Sequence, residues 1–158
     1  MPGALRDFGR SVSSRVESMA AGIGYRVLPH TADTRIEAWA PARAGCLEAA
    51  VRALVSTFAD VTGAEATDSI EKSFAESTDE DLLVAVLEQV IYLVEVVGVV
   101  PVTVDFVGEK AGRLAASFGV VPLKAVEICG PAPKAIALSD LVFEERDNKW
   151  RCLVTIDV

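Results

Sequence analysis

Two aspartates, Asp33 and Asp157, are the residues of this sequence best suited to form a metal-binding site. Asp33 opens one alternating stretch and Asp157 closes the last one, although aspartate is depleted in β-strands. Two carboxylates that lie together repel each other unless a cation lies between them, and oxygen ligands suit Mg²⁺, Mn²⁺ or Ca²⁺. The main-chain carboxylate of Val158 could join such a site. Each aspartate taken alone is also explained as a surface residue at a strand end.

The sequence contains one histidine, His30, three residues before Asp33. It is either a ligand or a residue that packs or makes hydrogen bonds within the fold. The sequence lacks the G-x-x-x-x-G-K-[ST] pattern that cradles phosphates and the G-x-S-x-G pattern of a serine nucleophile. One alternative is a small metal-dependent hydrolase that uses His30 as its base, but no motif in the sequence supports it.

Strands and helices are predicted on both sides of the first aspartate. An apolar run predicts a strand over 23–28, and strict alternation predicts another over 33–40. A helix is predicted over 42–59, with its apolar stripe at Leu47, Val51, Leu54, Val55 and Phe58. A second helix is predicted to begin at a capping-box pair, Ser77 and Glu80, and it carries a wide apolar face.

The rest of the chain is strand after strand. Further strands are predicted at 69–74, 99–107, 113–120, 123–129, 138–145 and 150–158, the last two joined by an Asp147-Asn148 turn. Two helices among so many consecutive strands cannot alternate as βαβ units, so the predicted fold is α+β. It has two layers: a mostly antiparallel β-sheet with two helices packed on one face. Residues 23–158 are predicted to form a single domain, and residues 1–22 a flexible extension without the apolar segment of a secretory signal.

The composition and net charge of the sequence favour some classes of protein and disfavour others. The 158 residues are 51% apolar, which predicts one domain with a large core. The net charge of −8 disfavours direct, tight binding of nucleic acid, and three cysteines without C-x-x-C spacing fit a reduced, cytoplasmic protein. The one long apolar stretch, 82–100, contains Glu88 and Glu95, which favours a buried helix followed by a strand over a membrane span.

Most of the negative charge lies in residues 60–95. This segment carries ten acidic residues and only one basic residue, Lys72, so its net charge is −9. Two interpretations stay open. The charge belongs either to a solvated helix face with its acidic lead-in, or to a patch that docks on a basic partner.

Four segments, in order along the chain, resemble the archease family. Residues 25–39 (Tyr-Arg-Val-Leu-Pro-His-Thr-Ala-Asp-Thr-Arg-Ile-Glu-Ala-Trp) are similar to its opening strand–turn–strand with a His-Thr-Ala-Asp motif. Residues 81–93 (Asp-Leu-Leu-Val, then Leu and Tyr-Leu) resemble its Asp-Leu-Leu-Val helix, and residues 123–126 its Lys-Ala-Val strand. Residues 150–158 resemble its closing strand, which ends in an aspartate and an aliphatic residue. The resemblance covers residues 24–158.

This resemblance implies a protein that helps an enzyme and is not itself an enzyme. Archeases act with RtcB-type RNA ligases, which use GTP and a divalent metal to join RNA ends in tRNA splicing and RNA repair. They accelerate guanylylation of the ligase and allow it to turn over, through a metal-bearing acidic site. On this chain the motifs imply that Asp33 and Asp157 are metal ligands, with supporting roles for His30 and Lys124. The implied partner is an RtcB-type ligase, and the implied cofactor is Ca²⁺, Mn²⁺ or Mg²⁺.

The chain departs from the family pattern at two places near these residues. After the motif that begins at Lys124 the family commonly has Thr, an aromatic residue and His, where residues 127–129 read Glu-Ile-Cys. Glu127 either replaces a lost polar group as a harder ligand or marks a degenerate site. In the second case the protein is a chaperone-like or scaffold domain. After Asp33 the family usually has an apolar residue and then a small one, where this chain has Thr34 and Arg35. Arg35 is expected to pair with Asp33 on the same strand face and to compete with the cation.

Overall fold

The computed structural model describes the backbone of residues 15–20 and all of residues 22–28 and 33–158. Within these ranges the chain forms ten β-strands, two α-helices and a π-helical turn after α2. In chain order the elements are β1 (Arg15–Ala20), β2 (Ile23–Leu28), β3 (Thr34–Ala40), α1 (Arg43–Ser56), β4 (Ala59–Asp60), β5 (Asp68–Phe74), α2 (Asp79–Tyr92), the π turn (Leu93–Val97), β6 (Val99–Lys110), β7 (Arg113–Pro122), β8 (Glu127–Ile128), β9 (Ala135–Arg146) and β10 (Lys149–Asp157).

Five strands form the main sheet in the order β1-β2-β3-β10-β9, and all neighbouring strands in it are antiparallel. Both helices pack on one face of this sheet, α1 against β2 and β3 and α2 against β9. A three-stranded antiparallel sheet (β5-β7-β6) contacts α1 through β6, and β4 pairs with β8 in a two-stranded ribbon. The predicted α+β architecture is confirmed, with the strands divided among three sheets.

The main sheet has an apolar face toward the helices because alternate residues of each strand point that way. On β3 and β10 these residues are Ile36, Ala38, Ala40, Cys152, Val154 and Ile156, all without exposed surface. The stripe of α1 packs on them, and its Leu47 and Leu54 are also fully buried. Burying one leucine contributes about 1.5–3 kcal/mol, so this layer strongly favours one placement of β3 and β10. We call the opposite side of the sheet, away from the helices, the outer face.

The hairpin between β9 and β10 forms as predicted. Asp147 and Asn148 have φ values of 56° and 61°, and a type I′ turn requires a positive φ at both central residues. The hairpin places β10 in the middle of the main sheet, between β9 and β3.

The long apolar stretch is a buried helix followed by a strand, which is also as predicted. Leu83, Val86 and Leu87 of α2 have no exposed surface. The π turn ends at Gly98, whose φ of 82° suits glycine, and β6 begins at the next residue. In the part of the chain described, no helix is both long enough and apolar enough to cross a bilayer.

The stretch interpreted as a flexible extension contains a strand. Residues 15–20 form β1 and pair with β2 along the edge of the main sheet. The sheet therefore begins at Arg15 and not at Ile23, while residues 1–14 lie outside the described residues. The sequence signal for this strand was weak because its apolar and polar residues do not form a long alternating run.

The strand predicted over 123–129 is wrong. The chain instead forms a 3-10 turn at Leu123–Ala125, closed by a 3.3 Å hydrogen bond from Val126 N to Leu123 O, and then the two-residue strand β8. The β6–β7 ladder ends where Val99 pairs with Pro122. The chain beyond that pair has no neighbouring strand in this sheet, so an apolar sequence alone does not make it a strand.

The start of α2 lies one residue later than predicted. The N-cap is Thr78, whose hydroxyl accepts a 3.0 Å hydrogen bond from the N–H of Asp81. The spacing of Ser77 and Glu80 matches a capping box equally well, so the pattern alone could not distinguish the two positions.

Candidate metal site

The strand register brings the two predicted ligands to one end of the main sheet. Ile156 of β10 pairs with Thr34 of β3 at the end of their ladder, and Asp157 and Asp33 are the residues directly beyond this pair, Asp33 in a bend just before β3. Residues directly opposed in an antiparallel pair have Cβ atoms about 4.5–5.5 Å apart, so the two residues that follow this pair belong to the same end of the sheet. Because side chains alternate along β10 and Ile156 is buried on the helix side, Asp157 belongs to the outer face, and both aspartates are half-buried.

Neither aspartate side chain has a hydrogen-bond or ion-pair partner in the part of the chain described. A hydrogen bond fixes the main chain of Asp157, whose carbonyl oxygen accepts it from Lys134 N at 2.8 Å. Two carboxylates at one end of a sheet, with no cationic partner in the described part of the chain, are a donor set that fits a hard divalent cation.

Several other charged groups on the outer face are paired. Glu37 accepts a 2.8 Å hydrogen bond from Arg151 Nε and lies 3.6 Å from Arg26 Nε. Arg151 also lies 3.8 Å from Glu144, and the Arg26 guanidinium lies 5.4 Å from the centre of the Trp39 ring. The hydrogen bond to Glu37 raises the pKa of Arg151 above its usual value. This network fills the middle of the outer face and leaves the aspartate end out of it.

Arg35 lies on the outer face between this network and the aspartates. It follows Asp33 by two residues and is opposite Thr155 in the β3–β10 ladder. Its Nε is shielded from water and makes no hydrogen bond. Among the described residues Arg35 has no ion pair, so the expected pair with Asp33 does not form.

Of the other residues predicted for the site, the structure describes some and not others. His30 lies outside the described residues, within the gap 29–32. Val158 directly follows Asp157 at the same end of the sheet, is half-buried, and packs against the core.

Lys124 and Glu127 lie on other elements. Lys124 is exposed in the 3-10 turn, and Glu127 is exposed in β8, opposite Asp60 of β4. Lys124 makes no ion pair with Asp33 or Asp157 within the described ranges. Those ranges contain no group of three or more His, Cys, Asp or Glu residues that could hold a metal ion. The structure therefore brings two predicted ligands together, and Glu127 does not join them.

Lys134 is a residue of the site that sequence reasoning missed. Its N–H is the donor to the Asp157 carbonyl oxygen. The preceding loop positions it, and Gly130 in that loop lies so close to Thr57 that a Cβ atom would meet the Thr57 carbonyl oxygen. The one available sequence signal was the run 131–133 (Pro-Ala-Pro), because proline fixes φ and stiffens the approach to β9.

A cavity of about 860 Å³ lies elsewhere, along α1 between β2 and β6, and its lining includes Tyr25, Val51 and Val102. Asp33 and Asp157 are not among its lining residues. The aspartate pair therefore lies outside this cavity, at the end of the main sheet.

Two sets of comparisons relate the chain to known sequences. It matches the model of the family described as "Archease protein family (MTH1598/TM1083)" over residues 25–158. Two proteins named "Probable protein archease", from Mycobacterium tuberculosis strains CDC 1551 / Oshkosh and ATCC 25618 / H37Rv, are similar to it. Each is 42% identical over 154 residues, which cover 98% of this chain and 84% of the relative.

Two solved structures share the fold. The solution structure of Methanobacterium thermoautotrophicum protein 1598 has a TM-score of 0.67 at 17% identity, covering 85% of this chain and 98% of that one. The crystal structure of a Thermotoga maritima protein, described as "an archease, possible chaperone", has a TM-score of 0.60 at 22% identity, covering 82% and 93%. The fold and the match over residues 25–158 agree, and the chain belongs to the archease family.

Proposed function

We propose that this protein activates an RtcB-type RNA ligase in the cytoplasm, in tRNA splicing or RNA repair, through a divalent cation held by Asp33 and Asp157. The observation that carries the proposal is the β3–β10 register, which brings Asp33 and Asp157 to one end of the main sheet, where neither carboxylate has a partner among the described residues. Membership of the archease family supports the choice of partner. In this proposal the protein is a cofactor of the ligase and not a stand-alone enzyme.

Two carboxylates leave most coordination positions of a divalent cation open. Mg²⁺ sites commonly combine one or two carboxylates with waters and with the phosphates of a substrate. When bound, such a cation supplies positive charge to phosphate oxygens. Asp33 and Asp157 hold it, and the hydrogen bond from Lys134 N keeps the main chain of Asp157 in place. The open outer face gives a ligase access to this position.

The acidic segment supports a role in docking. Of its ten acidic residues all but Asp79 are exposed. Glu76 and Glu88 line one groove between β5 and α2, and Tyr92 beside them is 50% exposed. An RNA ligase carries basic surfaces that bind RNA, so this acidic side of the molecule is complementary to it in charge.

An RNA-joining assay with the RtcB-type ligase of the same organism tests the proposal. Wild-type protein should raise guanylylation and multiple-turnover joining, and Asp33→Asn and Asp157→Asn should each lose at least about tenfold of this activation, because one carboxylate holds a cation poorly. Asp147→Asn is the matched control, since it removes the same charge at the other end of β10. Full activation by both site variants, or none by wild type, would contradict the proposal.

A second candidate function is a chaperone-like or scaffold domain that keeps the fold without a working metal site. It is favoured by the position of Glu127, which leaves the aspartate pair without a third acidic ligand in the described ranges. The Thermotoga maritima relative is itself described as a possible chaperone. In this case Asp157→Asn would assist the ligase as well as wild type does, and chelation of divalent ions from the protein would not change the effect.

A further inference from the structure

We propose that Arg35 forms an anion-binding position beside the cation site and that the group bound there is a phosphate. This inference rests on the proposed cation site at Asp33 and Asp157, and it names the class of ligand that the site recognises. It concerns a residue at which the sequence departs from the family pattern.

Arg35 differs from the other arginines that hold this fold together. Arg151 has a hydrogen bond of 2.8 Å to Glu37, and Arg43 joins Asp79 at 2.7 Å and Glu109 at 2.8 Å. Arg35 has no acidic partner among the described residues, although Asp33 is only two residues away. Its charge is therefore not neutralised by an acid in the described part of the chain.

The Arg35 guanidinium also has an unsatisfied donor. Its Nε is excluded from water and makes no hydrogen bond. The same is true of Arg26 and Arg52, but their Nε atoms lie 3.6 Å from Glu37 and 3.5 Å from Glu48, whereas Arg35 has no acidic partner among the described residues. A shielded donor without an acceptor costs free energy, and such a group in a native structure calls for an explanation. A bound anion would supply the missing acceptor.

The spacing along β3 suits a group with several oxygens. Arg35 is the second residue of β3 and follows Asp33 by two residues, and an extended chain spans about 7 Å over two residues. A phosphate group can direct some oxygens to a cation held by Asp33 and others to the fork of donors on Arg35. A carboxylate has only two oxygens and cannot serve both charges as fully, so we assign the position to phosphate.

Because Arg35 lies beside the proposed cation site, its substitution should affect the binding of the cation and the binding of phosphate differently. The guanidinium is a fixed positive charge near the cation site, so its removal should leave cation affinity unchanged or higher. Its removal should weaken phosphate binding to the cation-loaded protein. A variant that merely disturbs the end of β3 would weaken both.

Two calorimetric titrations test the inference. The first measures Mg²⁺ binding to the full chain, and the second measures binding of inorganic phosphate to the Mg²⁺-loaded protein. Arg35→Ala should lower phosphate affinity at least tenfold without lowering Mg²⁺ affinity, and Arg35→Lys should restore only part of it, because lysine lacks the planar fork. Arg146→Ala is the control, since it removes the same charge from an exposed position at the hairpin end of the main sheet.

The outcomes separate this inference from the function on which it rests. If wild type binds no Mg²⁺, the cation site and this inference both fail. If it binds Mg²⁺ but no phosphate, or if Arg35→Ala binds phosphate as well as wild type, only the inference fails. Guanosine monophosphate and a short RNA with a 3′-phosphate then distinguish the two sources, because the natural one should bind more tightly than inorganic phosphate and lose that advantage in Arg35→Ala.

Discussion

At the scale of single residues, the outer face separates charges that stabilise the sheet from charges that can bind a ligand. Glu37 is shared between Arg26 and Arg151, so a cation could bind it only by displacing existing partners. Asp33 and Asp157 have no such partners in the described part of the chain. Their oxygens can therefore coordinate a cation without the loss of an ion pair.

The cysteines lie in two environments that predict different reactivity. Cys46 and Cys152 are fully buried, and the hydrogen bond between their thiols together with burial raises the pKa of the Cys152 thiol well above its usual value. Cys129 is exposed. Because the thiolate is the reactive form, we expect native protein to react rapidly with Ellman's reagent at one thiol per chain, and unfolded protein at all three. A rapid phase that persists in Cys129→Ser would contradict this assignment.

At the scale of elements, the first turn of α2 provides a direct test of the structure. Thr78 caps the helix through its hydroxyl, whereas Ser77 precedes the cap. We expect Thr78→Ala to lower the free energy of unfolding by about 1 kcal/mol, because the N–H of Asp81 loses its acceptor. Ser77→Ala, the matched control, should change it by less than about 0.5 kcal/mol. Urea denaturation of both variants measures the difference, and a larger loss in Ser77→Ala would place the cap where the capping-box pattern put it.

The elements that the sequence predicted well are those with a local periodic signal. The alternation of β3 and β10 and the stripe of α1 each reflect one buried face, so their type and orientation could be predicted. The segment 123–129 is apolar but has no neighbouring strand in the β5-β7-β6 sheet, and only its residues 127 and 128 pair with β4, because a ladder partner depends on the rest of the fold. The pairing of residues 15–20 with β2 is likewise a tertiary contact that the sequence signals only weakly.

At the scale of the whole molecule, the candidate site depends on a pairing between distant parts of the chain. Asp33 and Asp157 could be identified as candidates from residue type and from the family resemblance. Their placement at the same end of the sheet requires that β3 and β10 be neighbours in a definite register, which the burial of Ile36 and Val154 on the helix side selects. The missing pair between Asp33 and Arg35 could not be predicted, because side-chain positions on the outer face depend on all its neighbours.

The uneven charge of the molecule predicts how the rate of its association with a basic partner depends on salt. Association with the ligase should slow as salt is raised, while dissociation changes little, because long-range attraction acts on the encounter. We expect Glu76→Gln/Glu88→Gln to slow association at low salt several-fold. Asp105→Asn/Glu145→Gln removes the same charge elsewhere on the exposed surface and should have a smaller effect. Stopped-flow kinetics that do not depend on salt would contradict charge-guided docking.

The most direct test of the account is a calorimetric titration of Mn²⁺ into wild type, Asp33→Asn, Asp157→Asn and the double variant. We predict one ion per wild-type chain and a loss of at least about tenfold in affinity for each single variant. The double variant should be little weaker than either one, because the two carboxylates hold the same ion and their effects are not additive. Wild-type affinity in either single variant would contradict the claim that Asp33 and Asp157 share one cation.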